Sequence, residues 1–167
     1  ITVDDDTPTA NAVDSTGTVD EDGLLVPDGT GGSTGVGDYV DNNADGDLNE
    51  ATVSGSVTAL FNAGADVPLT YQLLTNTGGL PALKSGGVDV TYAVVNNVLT
   101  ASAGATPVFT FTLNATTGAW DFVLLAPLDH AAGGQENDLV IELGSLVQAS
   151  DADGDTVLAT GKVTITV

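Results

Sequence analysis

The chain has 167 residues, enough for one domain with a buried core. Its 23 acidic residues stand against two basic ones, Lys84 and Lys162, for a formal charge of −21. Nucleic acid and anionic membrane are held by clusters of Lys and Arg, which this chain lacks, so both are disfavoured as partners and a cation is the partner that the charge implies.

The acidity is carried almost wholly by Asp, alongside 21 Gly and many Thr, Val and Ala. That mixture makes poor helices and good strands and turns. A hydrophobic content of 42% argues against wholesale disorder. No apolar run approaches the roughly 18 residues of a membrane span. Cys is absent, so a secreted domain of this composition needs a staple other than a disulfide, and a metal ion is the obvious substitute.

Residues 1–8 read as a linker, in which "VDDDTP" places Asp4, Asp5 and Asp6 just before a stiffening Pro8. A second cluster, "VDEDG", supplies Asp20, Glu21 and Asp22, and both clusters are candidate calcium ligands, able to add oxygens to the aspartates at 151, 153 and 155. The texture from Asp4 to Glu50 is Asp, Gly, Thr and Asn with short apolar islands, an irregular acidic region. Within it, residues 28–50 form a Gly/Asp-rich loop insertion that opens with "DGTGGSTGVGD", flexible on composition alone. "GGSTG" is formally G-x-S-x-G around Ser33. It has no preceding strand and no following helix, so a nucleophile elbow is rejected.

"DNNADGDLNEAT", residues 41–52, sets Asp41, Asn43, Asp45, Gly46 and Asp47 at positions 1, 3, 5, 6 and 7 of the twelve-residue EF-hand loop. Position 12 is Thr52, where a bidentate Glu is required, and no amphipathic helices flank the run. The reading is therefore a calcium loop outside an EF-hand, with Glu50 as an extra ligand.

After Ala51 the pattern becomes alternation, and residues 51–167 carry the main strands. Candidates are 52–60, 69–74 and 88–95, the last followed by Asn96, Asn97 and "VLTA" as a hairpin. "VFTFTL", 108–113, puts Phe109, Phe111 and Leu113 on one face and Thr110 and Thr112 on the other. "AWDFVLL", 119–125, repeats this with Trp120, Phe122 and Leu124, and "NATTG" between the two makes a second hairpin. Strands at 139–143, 156–160 and 162–167 complete the set. About eight or nine short strands with turn signals between them predict an all-β, Ig-like antiparallel β-sandwich, with at most a helical turn or two.

Trp120 is expected in the core rather than on a sugar-stacking platform. His130, the only histidine, lies in "PLDH" just after a strand, where a turn-forming or core-capping role outweighs a catalytic triad. Asp129, Glu136 and Asp138 around it are either polar loop residues or ligands of a further calcium ion. No catalytic constellation emerges, and the chain is expected not to be an enzyme.

"ASDADGDT", residues 149–156, places Asp151, Asp153 and Asp155 at alternating positions around a glycine. Alternate side chains of extended backbone point the same way, and the glycine permits the bend that turns them inward. Calcium takes six to eight oxygens at about 2.3–2.6 Å, and its charge removes the mutual repulsion of the aspartates. The bland alternative is a solvated acidic surface. The three aspartates are a half-site, and in a sandwich whose last strand ends at one pole and whose incoming linker lies at the other, linker carboxylates of one domain share calcium with the pole loops of its neighbour. "ITV" stands both at residues 1–3 and at residues 165–167, which is expected of a tandem array with a period of 164 (165 minus 1).

"VDDDTPTA", "TGAWDFVLLAPLDHA", "GGQENDLVIEL", "ASDADGDT" and the closing "VTITV" together resemble the T1SS-143, or extender, repeats of very large RTX adhesins exported by type I secretion. The similarity spans nearly the whole chain, although residues 28–50 look longer than a minimal repeat. It implies Ig-like modules with calcium bound within and between them. It also implies a location outside the cell, on the bacterial surface, as spacers in adhesins that support biofilm formation and adhesion. The partners implied are adjacent repeats joined through calcium-stiffened linkers, the isolated module being a monomer. The alternative is a module of the same adhesin that itself grips a glycan or protein. A chain exported unfolded benefits from carboxylates that repel in calcium-poor cytosol and fold around calcium outside, where modules bind it at about 10⁻⁴–10⁻³ M.

Overall fold

A computed structural model describes residues 6–24, 50–131 and 138–167, apart from the side chain of Asp22. The elements in chain order are β1 (Thr9–Ala10), β2 (Ser15–Thr18), a 3₁₀ turn (Glu21–Gly23), β3 (Thr52–Ser56), a second 3₁₀ turn (Thr58–Leu60), β4 (Phe61–Asn62), β5 (Thr70–Leu73), β6 (Lys84–Ser85) and β7 (Val88–Val95). They continue with β8 (Val98–Ala103), β9 (Thr106–Leu113), β10 (Ala119–Leu124), β11 (Val140–Glu142), β12 (Val147–Ser150), β13 (Thr156–Leu158) and β14 (Val163–Thr166). The chain is an all-β sandwich, as its alternation predicts. A six-stranded sheet in the order β3-β10-β9-β8-β7-β6 faces two three-stranded sheets, β11-β14-β2 and β13-β12-β5, and β1 pairs with β4. Every pairing is antiparallel except β14 with β2, which run side by side in the same direction. Among the described residues no helix is long and apolar enough to cross a membrane.

Local chemistry explains the hairpins. Asn96 and Asn97 both adopt positive φ, 51° and 59°, the conformation that a tight two-residue turn between β7 and β8 demands and that Asn tolerates. Between β9 and β10 the Asn114 side-chain oxygen accepts the N–H groups of Thr116 and Thr117, closing the predicted "NATTG" turn.

The inner face of the large sheet is the core. Phe109, Phe111 and Phe122 are fully buried, and the Phe109–Phe122 and Phe111–Trp120 rings sit 5.0 and 5.6 Å apart, within the range of favourable aromatic pairing. Trp120 lies flat on Gly55, where an added Cβ would come within 2.4 Å of the ring, and its Nε1–H donates to Ser15 Oγ at 2.9 Å. The indole therefore ties β2 to the large sheet. At the far side of that sheet Tyr92 donates its hydroxyl to the Pro81 carbonyl at 2.7 Å, and burial pushes its phenol up to about 12.

Two details depart from the sequence reading. The strand predicted over 52–60 stops at Ser56, whose hydroxyl accepts the Thr58 N–H and starts a 3₁₀ turn that buries Val57 and Leu60. β12 and the short strands β1, β2, β4 and β6 have no predicted counterpart. β2 is "STGT", without a large apolar side chain, and owes its place to backbone pairing with β14.

The pairing fixes which loops share a pole. β2 and β14 run together toward Val19 and Val167, where Val19 N–H bonds to Thr166 O and Leu139 pairs with Val167. The incoming segment lies at the opposite pole: Thr9 pairs with Asn62, and Thr70 of β5 pairs with Ser150 of β12, so the connection between β4 and β5 runs beside the loop after β12.

Candidate metal centre

β12 ends at Ser150 and β13 begins at Thr156, its register partner, so residues 151–155 form a closed loop between paired strands. The Asp151 N–H bonds to Asp155 O at 3.0 Å across the loop mouth. Asp151 Oδ1 turns back into the loop and accepts the N–H groups of Gly154 at 3.0 Å and Asp155 at 2.8 Å. Gly154 permits this by taking φ +108°, a region in which a side chain is strained.

One carboxylate oxygen from each of Asp151, Asp153 and Asp155 lies within 4.8 Å of the others, and the three can hold a metal ion. Asp153 is exposed and Asp155 half-buried, as a solvated acidic surface would have them. Asp151 differs. The residue is only 6% exposed, and its Oδ2 is buried with no hydrogen-bond partner among the described residues. Leaving a buried carboxylate oxygen unsatisfied costs at least the 1–3 kcal/mol of a lost hydrogen bond, roughly, and more for a charged group. An ion at the cluster removes that penalty and the repulsion together. The donors are all hard carboxylate oxygens, which suit calcium, magnesium or manganese rather than softer metals.

Asp6 reaches the same pole, but its contacts are to the backbone. Asp6 Oδ2 accepts the Ala65 N–H at 2.9 Å. One residue on, the Asp66 carbonyl accepts the Ala152 N–H, at 3.3 Å, from the aspartate loop itself. Asp4, Asp5, Asp41, Asn43, Asp45 and Asp47 lie outside the described residues, as do Ser33, Glu136 and the side chain of Asp22.

Among the described residues of the "VDEDG" cluster, neither Asp20 nor Glu21 joins the group formed by Asp151, Asp153 and Asp155. Asp20 is exposed, and its backbone bonds to Glu50 O at 2.9 Å and, through its own carbonyl, to Gly23 N–H at 3.3 Å. Glu21 is 2% exposed and turns inward from its 3₁₀ turn, where Oε1 accepts the Leu128 N–H at 2.6 Å and lies 3.3 Å from His130 Nε2. The "PLDH" run works as a latch: Leu128 is fully buried, both Asp129 oxygens accept the N–H groups of Gly86 and Gly87 in the β6–β7 turn, and His130 meets Glu21. This is the core-capping role expected of His130. The partnership with Glu21, 109 residues away, carries no spacing signal that sequence reasoning can use.

No protein-family model, no curated protein and no solved structure matches the chain. The assignment of a function therefore rests on the loop geometry, the sheet topology and the motifs of the chain itself.

Proposed function

We propose that this chain is a calcium-rigidified structural module, a spacer of the tandem-repeat bacterial surface adhesins whose extender repeats its motifs resemble. The observation that carries the reading is Asp151 Oδ2, a buried charged oxygen with no hydrogen-bond partner among the described residues, set in a loop with two further carboxylates. Calcium is the hard cation best matched to flexible carboxylate loops outside cells, since magnesium holds its water tightly and asks for near-ideal octahedral geometry. Asp151, Asp153 and Asp155 would hold the ion. The chain's own part is to pre-close the loop through the two bonds to Asp151 Oδ1 and to hold it between paired strands.

The placement of the loop supports a role in linking modules. It shares a pole with the acidic segment that holds Asp6, at the opposite end of the sandwich from Val19 and Thr166. The competing glycan-binding reading loses its best aromatic, because Trp120 is 1% exposed and packed against Gly55. Thermal unfolding of the chain, and small-angle scattering of a two-module tandem, each with calcium and with chelator, test the proposal. A midpoint that climbs with calcium and a tandem that lengthens and stiffens are expected. Indifference of both to calcium would sink it.

A further inference from the structure

We infer that cation binding at the Asp151 loop is coupled to docking of the incoming segment, with residues 62–66 as the bridge and Asp6 as a positioning residue. The inference rests on the proposed calcium site, and it assigns to Asp6 a task other than ligation.

The incoming segment is laid along the chain that ends β4. Thr9 and Ala10 pair with Asn62 and Phe61, Asn11 N–H bonds to Leu60 O at 2.7 Å, and Pro8 is buried. Asp6 completes this contact at its upstream end through the Ala65 N–H. Its carboxylate sits over Gly64, where an added Cβ would lie 2.0 Å from Oδ2 and displace it, and Gly64 takes φ +66°, which strains any side chain. On its other flank the same short stretch is bonded to the metal loop, by Ala152 N–H to Asp66 O. Ala152 directly follows Asp151, the residue with the unsatisfied oxygen.

A cation that draws Asp151, Asp153 and Asp155 together fixes the peptide at Ala152. That fixes Asp66 and, one residue back, the Ala65 N–H that Asp6 grips. Two sites joined by a shared element must influence each other equally in binding free energy, so a docked Asp6 strengthens calcium binding by the same factor as calcium strengthens docking.

The test is a calcium titration of the full chain followed by amide NMR, on the native sequence, Asp6→Ala and Asp6→Asn. In the native chain the Gly154, Ala152 and Ala65 amides are expected to titrate with one midpoint, and Ala65 hydrogen exchange is expected to slow in calcium. Asp6→Ala is expected to weaken calcium binding by about fivefold, the low end of typical coupling. Asp6→Asn, which still offers an oxygen to the Ala65 N–H, is expected to bind calcium nearly as the native chain does. If Gly154 titrates while Ala65 does not move, the coupling is wrong and the calcium reading stands, whatever the variants do. If Asp6→Asn is as weak as Asp6→Ala, Asp6 acts through its charge and the bridge is wrong. If no amide in the loop responds to calcium, both readings fall.

Discussion

Replacing Asp151 by Asn should have opposite consequences with and without calcium. In chelator the substitution removes one charge from a group whose oxygens lie within 4.8 Å of one another. Coulomb's law at that separation gives about 0.9 kcal/mol of repulsion per pair at the dielectric of water, so roughly 2 kcal/mol for the two pairs that Asp151 makes, less whatever salt screens. Against this, Oδ1 becomes a neutral acceptor for the Gly154 and Asp155 N–H groups, and neutral hydrogen bonds are about half as strong as charge-assisted ones. The two effects are of similar size, and the variant is expected to unfold within about 1 kcal/mol of the native chain. Calcium at a hundred times its dissociation constant stabilises a one-site protein by about 2.7 kcal/mol, or about 5–11 °C at 2–4 °C per kcal/mol for a domain of this size. The variant should lose most of that gain. Differential scanning calorimetry of both proteins in chelator and in calcium reads the difference of differences. A variant destabilised equally in the two buffers would refute the reasoning, because Asp151 would then be a loop brace and not a ligand.

Other parts of the structure give further expectations. Glu21→Ala removes a buried acceptor and strands the Leu128 N–H, and about 1–3 kcal/mol should be lost in urea unfolding, with Glu21→Gln costing less because its carbonyl still accepts that N–H. A loss below about 1 kcal/mol for Glu21→Ala would show that the latch carries little weight. Trp120→Ala should cost about 3–5 kcal/mol and detach β2 from the large sheet, which backbone hydrogen exchange at residues 15–18 reports directly. Tyr92 has its phenol raised by burial from 10.0 to about 12, so the neutral form is favoured in the folded state. The stability it contributes is complete below about pH 10 and is lost as pH rises toward about 12. Tyr92→Phe should flatten that alkaline limb in a pH series of unfolding curves, and an unchanged limb would assign it to other groups.

The four consecutive strands β7 to β10 of the large sheet were legible because they are long and half-buried. Ala119–Leu124, and Val88–Val95 from Val90 onward, alternate between a packed face and an open one, and a period of two survives in the sequence. β2 was not legible: Ser, Thr and Gly carry no apolar side chain to mark a period, and the strand is placed by the backbone edge of β14 and the bond from Trp120 to Ser15. The aspartate cluster at 151–155 was legible because all three lie within five residues, and a local loop brings its own carboxylates together. What sequence could not supply was the inequality among them. Only the folded structure buries Asp151 and spends its Oδ1 on the loop backbone, leaving Oδ2 without a hydrogen-bond partner among the described residues. The same limit hid the work of Glu21 and Asp6. An acidic run looks uniform as a string of letters, yet Glu21 turns inward to His130 and Asp6 turns onto Gly64, contacts set by packing between distant segments.

The most direct measurement is a crystal structure of the chain grown with calcium, with anomalous data to locate the ion. The account predicts a peak bound by Asp151 Oδ2 and by carboxylate oxygens of Asp153 and Asp155, at about 2.3–2.6 Å from each. A loop of unchanged shape with a water molecule on Asp151 Oδ2 and no calcium beside it would contradict the account.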